Sequence, residues 1–199
     1  MDYLLILIAY LFGSLNSAII LCKALSLPDP REQGSGNPGA TNVLRFGGKK
    51  LAASVLFFDI LKGVIPVLIA LIIGMEQALI AVVAFAAFIG HLYPLFFKFK
   101  GGKGVATAFG VLATMNWMVG LSILLTWLVM ALTFRLSSLS ALTASLLAPL
   151  YAWLFIGDDI TTLITLIMSA LLLWRHRSNI RNLLAGKEPK IGSKKKSAI

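Results

Sequence analysis

The sequence predicts an all-helical protein that crosses a membrane several times, and three observations support this fold class. Of its 199 residues, 58% are apolar and only 13% are charged, whereas soluble domains average about 25% charged residues. The mean hydropathy is +0.89, and the apolar residues form long runs without the alternation of a half-buried strand. These features exclude soluble globular enzymes and disordered chains, and the single Cys22 excludes a disulfide scaffold.

Six apolar stretches are candidates for membrane-spanning helices, which need about 20 residues each. They are residues 3–22, 51–74, 77–97, 105–134, 139–157 and 160–174. The fourth stretch is longer than the roughly 25 residues of a long single span. Its length leaves open whether it crosses once or twice.

The positions of the basic residues favour two crossings for the stretch 105–134. The turns at 74–77 and 157–159 carry acidic residues and no basic ones. If the chain turns near Asn116, every basic loop falls on one side, which is the cytosolic side by the positive-inside rule. Outside the apolar stretches, Lys and Arg occur in 23–50, in 98–103, at Arg135 and in the segment from Arg175 onward.

We therefore predict an all-α polytopic membrane protein with about seven transmembrane helices, its N-terminus outside and its C-terminus in the cytosol. Two helices, 104–115 and 160–174, are short or partly spanning. One integral-membrane domain is expected over residues 1–192, followed by a basic flexible tail over 193–199. A nucleic-acid partner is not expected, because no soluble domain is present to offer a groove.

The loop after the first predicted helix has the composition of an anion-binding site. Residues 33–42 read QGSGNPGATN, and glycines allow backbone N–H groups to converge on an anion. Ser35, Thr41 and Asn42 add side-chain donors, and the nearby Arg45 adds a guanidinium suited to phosphate. An ordinary turn before a helix is the alternative, but the position at the basic face favours phosphate binding.

A second glycine-rich segment, Gly101-Gly102-Lys103-Gly104, precedes the apolar stretch from residue 105. It is not a Walker A motif, because glycine follows the lysine. Free N–H groups at a helix N-terminus nevertheless favour phosphate, and Lys103 supplies a full positive charge. A positive-inside anchor would explain other lysines here, but not a lysine among three glycines.

Two further pairs of residues are predicted to belong to the site. His176 and Asn179, three residues apart at the last membrane exit, share one helix face. The alternative is a cluster of interfacial cations, which leaves this pair unexplained. Asp59 and Lys62 lie within the second apolar stretch, where ionisable groups are costly, so we predict an ion pair that supports the site. His91 is expected to be a loop residue with local hydrogen-bond partners.

Together these motifs resemble the bacterial acyl-phosphate-dependent glycerol-3-phosphate acyltransferases, an integral-membrane family that begins phospholipid synthesis. The matching segments follow the family's order and spacing over nearly the whole chain. They are SGNPGATN at 35–42, DILKG at 59–63, GGKGVAT at 101–107 and HRSNI at 176–180. The sequence departs from the family pattern at Asn16, where the family commonly has proline. This difference affects the predicted local shape of the first helix.

The resemblance implies transfer of a fatty acyl group from acyl phosphate to the 1-hydroxyl of glycerol 3-phosphate, which gives lysophosphatidic acid and phosphate. It implies no metal or other cofactor, and neither coenzyme A nor acyl carrier protein as a partner. A monomer in the bacterial inner membrane is expected. The alternative is a transporter or channel for phosphate or phosphorylated lipid, but the middles of the third and sixth predicted helices carry almost no polar residues.

From the motifs and the resemblance together, we predict three groups of site residues. The catalytic residues are Ser35, Lys103, His176 and Asn179. The substrate-binding residues are Gly36, Asn37, Gly39, Thr41, Asn42, Arg45, Gly101, Gly102, Gly104 and Thr107. Asp59 and Lys62 support the site. Either His176 or a substrate phosphate takes the proton of the attacking hydroxyl.

Overall fold

The computed structural model describes residues 2–191, and this part of the chain contains ten α-helices. They are α1 (Asp2–Gly13), α2 (Ser17–Ala24), α3 (Ala40–Phe46), α4 (Gly48–Ile72), α5 (Gln77–Leu92), α6 (Val105–Met115), α7 (Trp117–Phe134), α8 (Ser137–Phe155), α9 (Asp159–Arg175) and α10 (Arg177–Leu184). One 3-10 turn, Leu95–Phe97, follows α5. The all-helical fold class is confirmed, and the predicted tail at 193–199 lies outside the described residues.

Several helices have the length and composition of membrane spans. Four qualify by themselves, namely Gly48–Ile72, Gln77–Phe97, Trp117–Phe134 and Ser137–Phe155, and the bent pair α1 and α2 makes a fifth. Helix α6 has 11 residues and α9 has 17, fewer than the roughly 20 of a perpendicular span. Large apolar side chains such as Phe57, Leu132 and Trp153 are exposed on the outer surface, as expected for a surface that faces lipid.

The long apolar stretch 105–134 is divided at Asn116, where the basic residues predict a turn. The Asn116 side-chain oxygen accepts hydrogen bonds from the N–H groups of Met118 at 2.8 Å and Val119 at 3.3 Å. This is the usual arrangement of a helix N-cap. Helices α6 and α7 then pack closely, since a Cβ atom at Gly120 would collide with Ala113.

The first apolar stretch, predicted as one helix, is instead broken into α1 and α2, which bend by 47°. Asn16 begins the second helix, because its side-chain oxygen accepts the Ile19 N–H at 3.1 Å. Just before the break, Gly13 lets α1 approach α5 closely, and a Cβ atom there would collide with the Ala87 carbonyl. The departure from the family's proline therefore coincides with a helix cap.

The buried core lies around α5, which packs against α1, α4, α6 and α9. Helix α8 packs between α7 and α9. Most of its buried side chains are small, and two of them, Ala144 and Ala148, line a space between α6, α7, α8 and α9. The candidate site opens at the end of this space, where α6 and α8 begin and α9 ends.

Asp59 and Lys62 form an ion pair inside the bundle, where both side chains are only 4% exposed. The Lys62 Nζ atom lies 2.9 Å from Asp59 Oδ1. It also donates to the Leu15 carbonyl at 2.9 Å, and the Ser17 hydroxyl donates to Asp59 Oδ1 at 2.8 Å. The pair therefore fastens the break between α1 and α2 to α4.

Removing one member of this pair is expected to destabilise the protein. Asp59→Ala should lower the free energy of unfolding by about 3–5 kcal/mol, because it leaves a buried charge uncompensated. The double variant Asp59→Leu/Lys62→Met should lose much less, since it removes both charges. Thermal unfolding in detergent measures this difference, and equal losses in the single and double variants would contradict it.

Candidate active site

The loop that carries the predicted anion-binding motif is organised by Asn42, at the start of α3. This side chain is 1% exposed. Its Nδ2 atom donates to the carbonyls of Pro30 and Gln33, both at 2.9 Å, and its Oδ1 atom accepts the Ser35 N–H at 2.9 Å. We predicted Asn42 as a donor to substrate. Its amide instead holds the loop in shape, because both of its N–H groups already bind backbone carbonyls.

The second glycine segment turns directly into α6, as the sequence predicts. Gly104 has a φ of +90°, and a Cβ atom there would collide with the Phe88 ring. Helix α6 therefore begins at Val105, and its first N–H groups lie beside Lys103. A helix start of this kind favours a bound phosphate.

Arg175, interpreted from the sequence as one of several interfacial cations, holds this glycine segment. Its guanidinium donates to the carbonyls of Gly101 at 2.7 Å and Gly102 at 3.1 Å. It also lies 5.6 Å from the centre of the Tyr93 ring. In the sequence, the only indication of this role is that Arg175 directly precedes the His176 motif.

His91 differs from its predicted position in a loop. It lies in α5 and is 4% exposed, and its Nδ1 atom is 3.6 Å from Asp59 Oδ1. Its carbonyl accepts the Gly102 N–H at 3.2 Å, and a Cβ atom on Gly102 would collide with its ring. His91 therefore connects the buried ion pair to the glycine segment, a contact that its sequence neighbours did not indicate.

A line of hydrogen bonds joins three distant parts of the chain at the site. The Lys103 ammonium donates to Asn179 Oδ1, and the Asn179 Nδ2 atom donates to Glu188 Oε1 at 2.7 Å. Glu188, an acidic residue in a segment that is otherwise basic, was not predicted to belong to the site. The segment after α10 therefore contacts the site, and the Ile191 N–H bonds the Arg135 carbonyl at 2.7 Å.

The charge states of Lys103 and His176 follow from their surroundings. Burial lowers the pKa of Lys103 to about 8, with Glu188 opposing this shift and Arg45 adding to it. Burial likewise lowers the pKa of His176 to about 4, and Lys103 contributes to that decrease. Near pH 7 the lysine is therefore mainly charged and the histidine is neutral.

The orientation of His176 leaves one ring nitrogen for a ligand. Its Nδ1 atom lies 2.9 Å from the Leu172 carbonyl, an acceptor that favours the tautomer with the proton on Nδ1. The Nε2 atom then carries the lone pair. At neutral pH this nitrogen can accept a hydrogen bond.

A cavity of about 330 Å³ begins at these residues and continues between the helices. We call its polar end the mouth and the part between α6, α7, α8 and α9 the apolar arm. The mouth is lined by Ser35, Thr41, Arg45, Lys103, His176, Asn179 and Glu188. The apolar arm is lined mainly by Phe109, Leu112, Ile123, Trp127, Ala144, Ala148 and Met168.

A smaller space of about 250 Å³, the basic cleft, adjoins the mouth. Ser35, Asn37 and Lys103 line both spaces, so these residues lie at their boundary. The other residues that line the cleft are Gly36, Gly101, Arg175, Arg177, Ser178 and Arg181. Two spaces rich in cations and glycine N–H groups, joined at one lysine, suit two phosphate groups.

Most of the predicted catalytic and substrate-binding residues meet at these two spaces, but two do not. Gly39, Asn42 and Gly104 line the main cavity with the residues named above. Neither space is lined by Gly102 or Thr107. Thr107 was predicted to bind substrate, yet it is fully buried and its hydroxyl donates to the Asp59 carbonyl at 2.9 Å.

Two serines at the start of α8 also line the mouth and were missed. Ser137 lies 3.5 Å from Thr41, between the two hydroxyl oxygens. Ser138 is 8% exposed, and its hydroxyl has no hydrogen-bond partner among the described residues. The sequence indicated them only as a pair of serines that follows Arg135 and Leu136.

Within residues 2–191, no cluster of three His, Cys, Asp or Glu side chains forms a metal site.

The fold and the site define an integral-membrane protein in which an anion-binding mouth opens into an apolar cavity between helices. The chain belongs to the glycerol-3-phosphate acyltransferase family, whose model matches residues 3–186. It is therefore an acyltransferase, and the resemblance stated from the motifs is confirmed.

Similar proteins agree with this assignment over nearly their full length. The chain is 56% identical to the glycerol-3-phosphate acyltransferase of Methylococcus capsulatus, with 98% of each chain covered. It is 54% identical to that of Thioalkalivibrio sulfidiphilus, with 97% and 95% covered.

Two crystal structures of PlsY (YgiH), an integral membrane glycerol 3-phosphate acyltransferase, share the fold. The glycerol 3-phosphate form has a TM-score of 0.91 at 41% identity, with 96% of each chain covered. The lysophosphatidic acid form has a TM-score of 0.88 at 40% identity, with 96% of this chain and 95% of that chain covered. The fold is thus that of an integral-membrane acyltransferase.

Proposed function

We propose that the protein transfers a fatty acyl group from acyl phosphate to the 1-hydroxyl of glycerol 3-phosphate, forming lysophosphatidic acid and releasing phosphate. The observation that carries this proposal is the cavity itself, because one space joins an apolar arm to a mouth and cleft suited to two phosphates. The related PlsY structures are described as glycerol 3-phosphate and lysophosphatidic acid forms, which are the proposed acceptor and product. The transporter alternative has no support among these relatives.

The two substrates are proposed to meet at Lys103. The acyl tail lies in the apolar arm, and the phosphate of acyl phosphate lies in the basic cleft near Gly36, Gly101 and Arg177. Glycerol 3-phosphate lies in the mouth, where Arg45 binds its phosphate. With the acceptor and the leaving phosphate on opposite sides of the carbonyl, much of the rate enhancement comes from positioning.

The chemical step then exchanges one carbon–oxygen bond for another. The 1-hydroxyl oxygen bonds to the acyl carbonyl carbon, the bond from that carbon to the phosphate oxygen breaks, and phosphate leaves. Lys103 and the N–H groups at the start of α6 stabilise the negative charge that develops.

We propose that a substrate phosphate takes the hydroxyl proton. His176, with a pKa of about 4, is a weaker base than a phosphate monoester, whose second pKa is about 6. His176 therefore orients the hydroxyl through Nε2, and Ser35 hydrogen-bonds one of the substrates at the boundary of the mouth and the cleft.

The proposed topology has seven crossings, made by the α1–α2 pair, α4, α5, α6, α7, α8 and α9. The loops that carry Arg45, Lys103 and Arg177 line one site, and Arg135 contacts the segment that carries Glu188, so these basic loops lie at one end of the bundle. The positive-inside rule assigns that end to the cytosol. We propose a monomer in the bacterial inner membrane, with one domain over residues 1–192 and no cofactor.

A donor assay tests this proposal directly. Detergent-purified protein is given labelled glycerol 3-phosphate with either palmitoyl phosphate or palmitoyl-CoA, and lysophosphatidic acid is measured. We expect product from the acyl phosphate alone, since the basic cleft suits a phosphate leaving group. Product from the thioester alone would contradict the proposed donor while leaving the acyl transfer intact.

A further inference from the structure

The apolar arm ends inside the helical bundle, at residues that are almost completely buried. The side chains farthest along their helices from the mouth are Leu112 of α6, Ile123 of α7, Ala148 of α8 and Thr165 of α9. They are 3%, 9%, 4% and 1% exposed. The arm therefore has an end wall, one side of which is formed by α8.

Two helices give the same depth for the arm. On α8, Ser138 at the mouth and Ala148 at the end wall are ten residues apart, and on α9 His176 and Thr165 are eleven residues apart. At 1.5 Å per helical residue, both separations correspond to about 16 Å. This is about half of the hydrocarbon thickness of a bilayer.

Two of the three hydroxyl side chains that line the arm, those of Thr165 and Ser169, donate to backbone carbonyls, and the third belongs to Ser145. The Thr165 hydroxyl donates to the Thr161 carbonyl at 2.8 Å, and the Ser169 hydroxyl donates to the Ser145 carbonyl at 2.6 Å. The arm is therefore suited to an alkyl chain. On α8, Ala144 and Ala148 lie one turn apart and both line the arm, so their small side chains keep it open.

We infer that Ala144 and Ala148 determine the longest acyl chain that the enzyme accepts. This inference rests on the proposed function, in which the donor's tail occupies the apolar arm. The two alanines are four residues, or about 6 Å, apart along α8. An extended alkyl chain of tetrahedral carbons with bonds of about 1.5 Å needs about five carbons to cover that distance.

The test replaces each alanine with leucine and measures kcat/KM for a series of saturated acyl phosphates, from octanoyl to stearoyl. Each value is divided by the wild-type value for the same donor, which cancels differences in micelle partitioning. One misfitting methylene in an apolar pocket changes kcat/KM by about tenfold or more. We expect Ala148→Leu to lose at least tenfold on the longest donors and to keep the short ones.

The donor length at which kcat/KM begins to fall distinguishes a limit on chain length from a general loss of enzyme activity. In Ala144→Leu the loss should begin at donors about five carbons shorter than in Ala148→Leu, because the obstruction lies one helical turn nearer the mouth. A second variant at the end wall, Ile123→Ala, should shift the profile toward longer donors. A uniform loss over all donors in both leucine variants would overturn the inference.

Ala152→Leu is the matched control. Ala152 lies one further turn along the same face of α8, is fully buried and does not line the cavity. The dependence of kcat/KM on donor length in Ala152→Leu should therefore match that of the wild type. If wild-type protein accepts only acyl-CoA, the proposed donor is wrong. The same ratios are then measured with acyl-CoA of varied length, and they support or overturn the limit on chain length separately.

Discussion

Lys103→Ala is expected to lower kcat/KM by about 100- to 1000-fold, the usual cost of removing a group that stabilises developing charge. Lys103 lines both the mouth and the basic cleft, so in the proposed reaction it contacts both substrates. The assay is lysophosphatidic acid formation with both substrates varied. Lys100→Ala is the control, since this neighbouring lysine is exposed and lines neither space, and it should retain wild-type activity.

The pH profile separates a charge effect of Lys103 from a structural one. Because the pKa of Lys103 is lowered to about 8, the side chain is charged below that pH and loses its proton above it. Wild-type kcat/KM should therefore fall as the pH rises through about 8, and Lys103→Ala should lack this decline. The same decline in the alanine variant would show that another group titrates.

His176→Ala is expected to lower kcat by about 100-fold, the usual cost of misplacing a reacting group, whereas His176→Gln should lose less than tenfold. The proposed role of His176 is to accept the hydrogen bond of the attacking hydroxyl, and the amide oxygen of glutamine does the same. The measurement is kcat at saturating concentrations of both substrates. Glutamine cannot act as a base at neutral pH, so an equal loss in the two variants would contradict the orienting role and would be the result expected of a general base.

The fold class could be predicted from the sequence because apolar runs and charge positions are local properties. The length of the run 105–134 left open whether it crosses once or twice, and the positions of the basic loops predicted a turn near Asn116, which caps α7 in the structure. The break in the first helix could not be predicted as readily. It depends on Asn16 as a cap and on the close packing of Gly13 against α5, and tertiary contacts of this kind leave little trace in hydropathy.

The candidate site was predictable where a motif carries its own chemistry. The glycine segment before α6 and the loop of residues 35–42 were chosen for their N–H groups and cations, and both line the site. Thr107 and Asn42 were assigned from the same motifs, but their polar groups bind the backbone. A motif shows which residue types are present, whereas the side-chain direction depends on which partners the fold brings near.

The sequence by itself determined a multi-pass helical membrane protein of the glycerol-3-phosphate acyltransferase family, because long apolar runs, charge placement and short motifs are all read along the chain. The tertiary structure alone decided that Lys103 bonds Asn179, 76 residues away, and that Glu188 joins them. It also decided that His91 connects the ion pair to the glycine segment, and that α8 forms one wall of the apolar arm. These contacts arise from how helices pack and where loops return, and packing between distant segments is not specified by any local pattern.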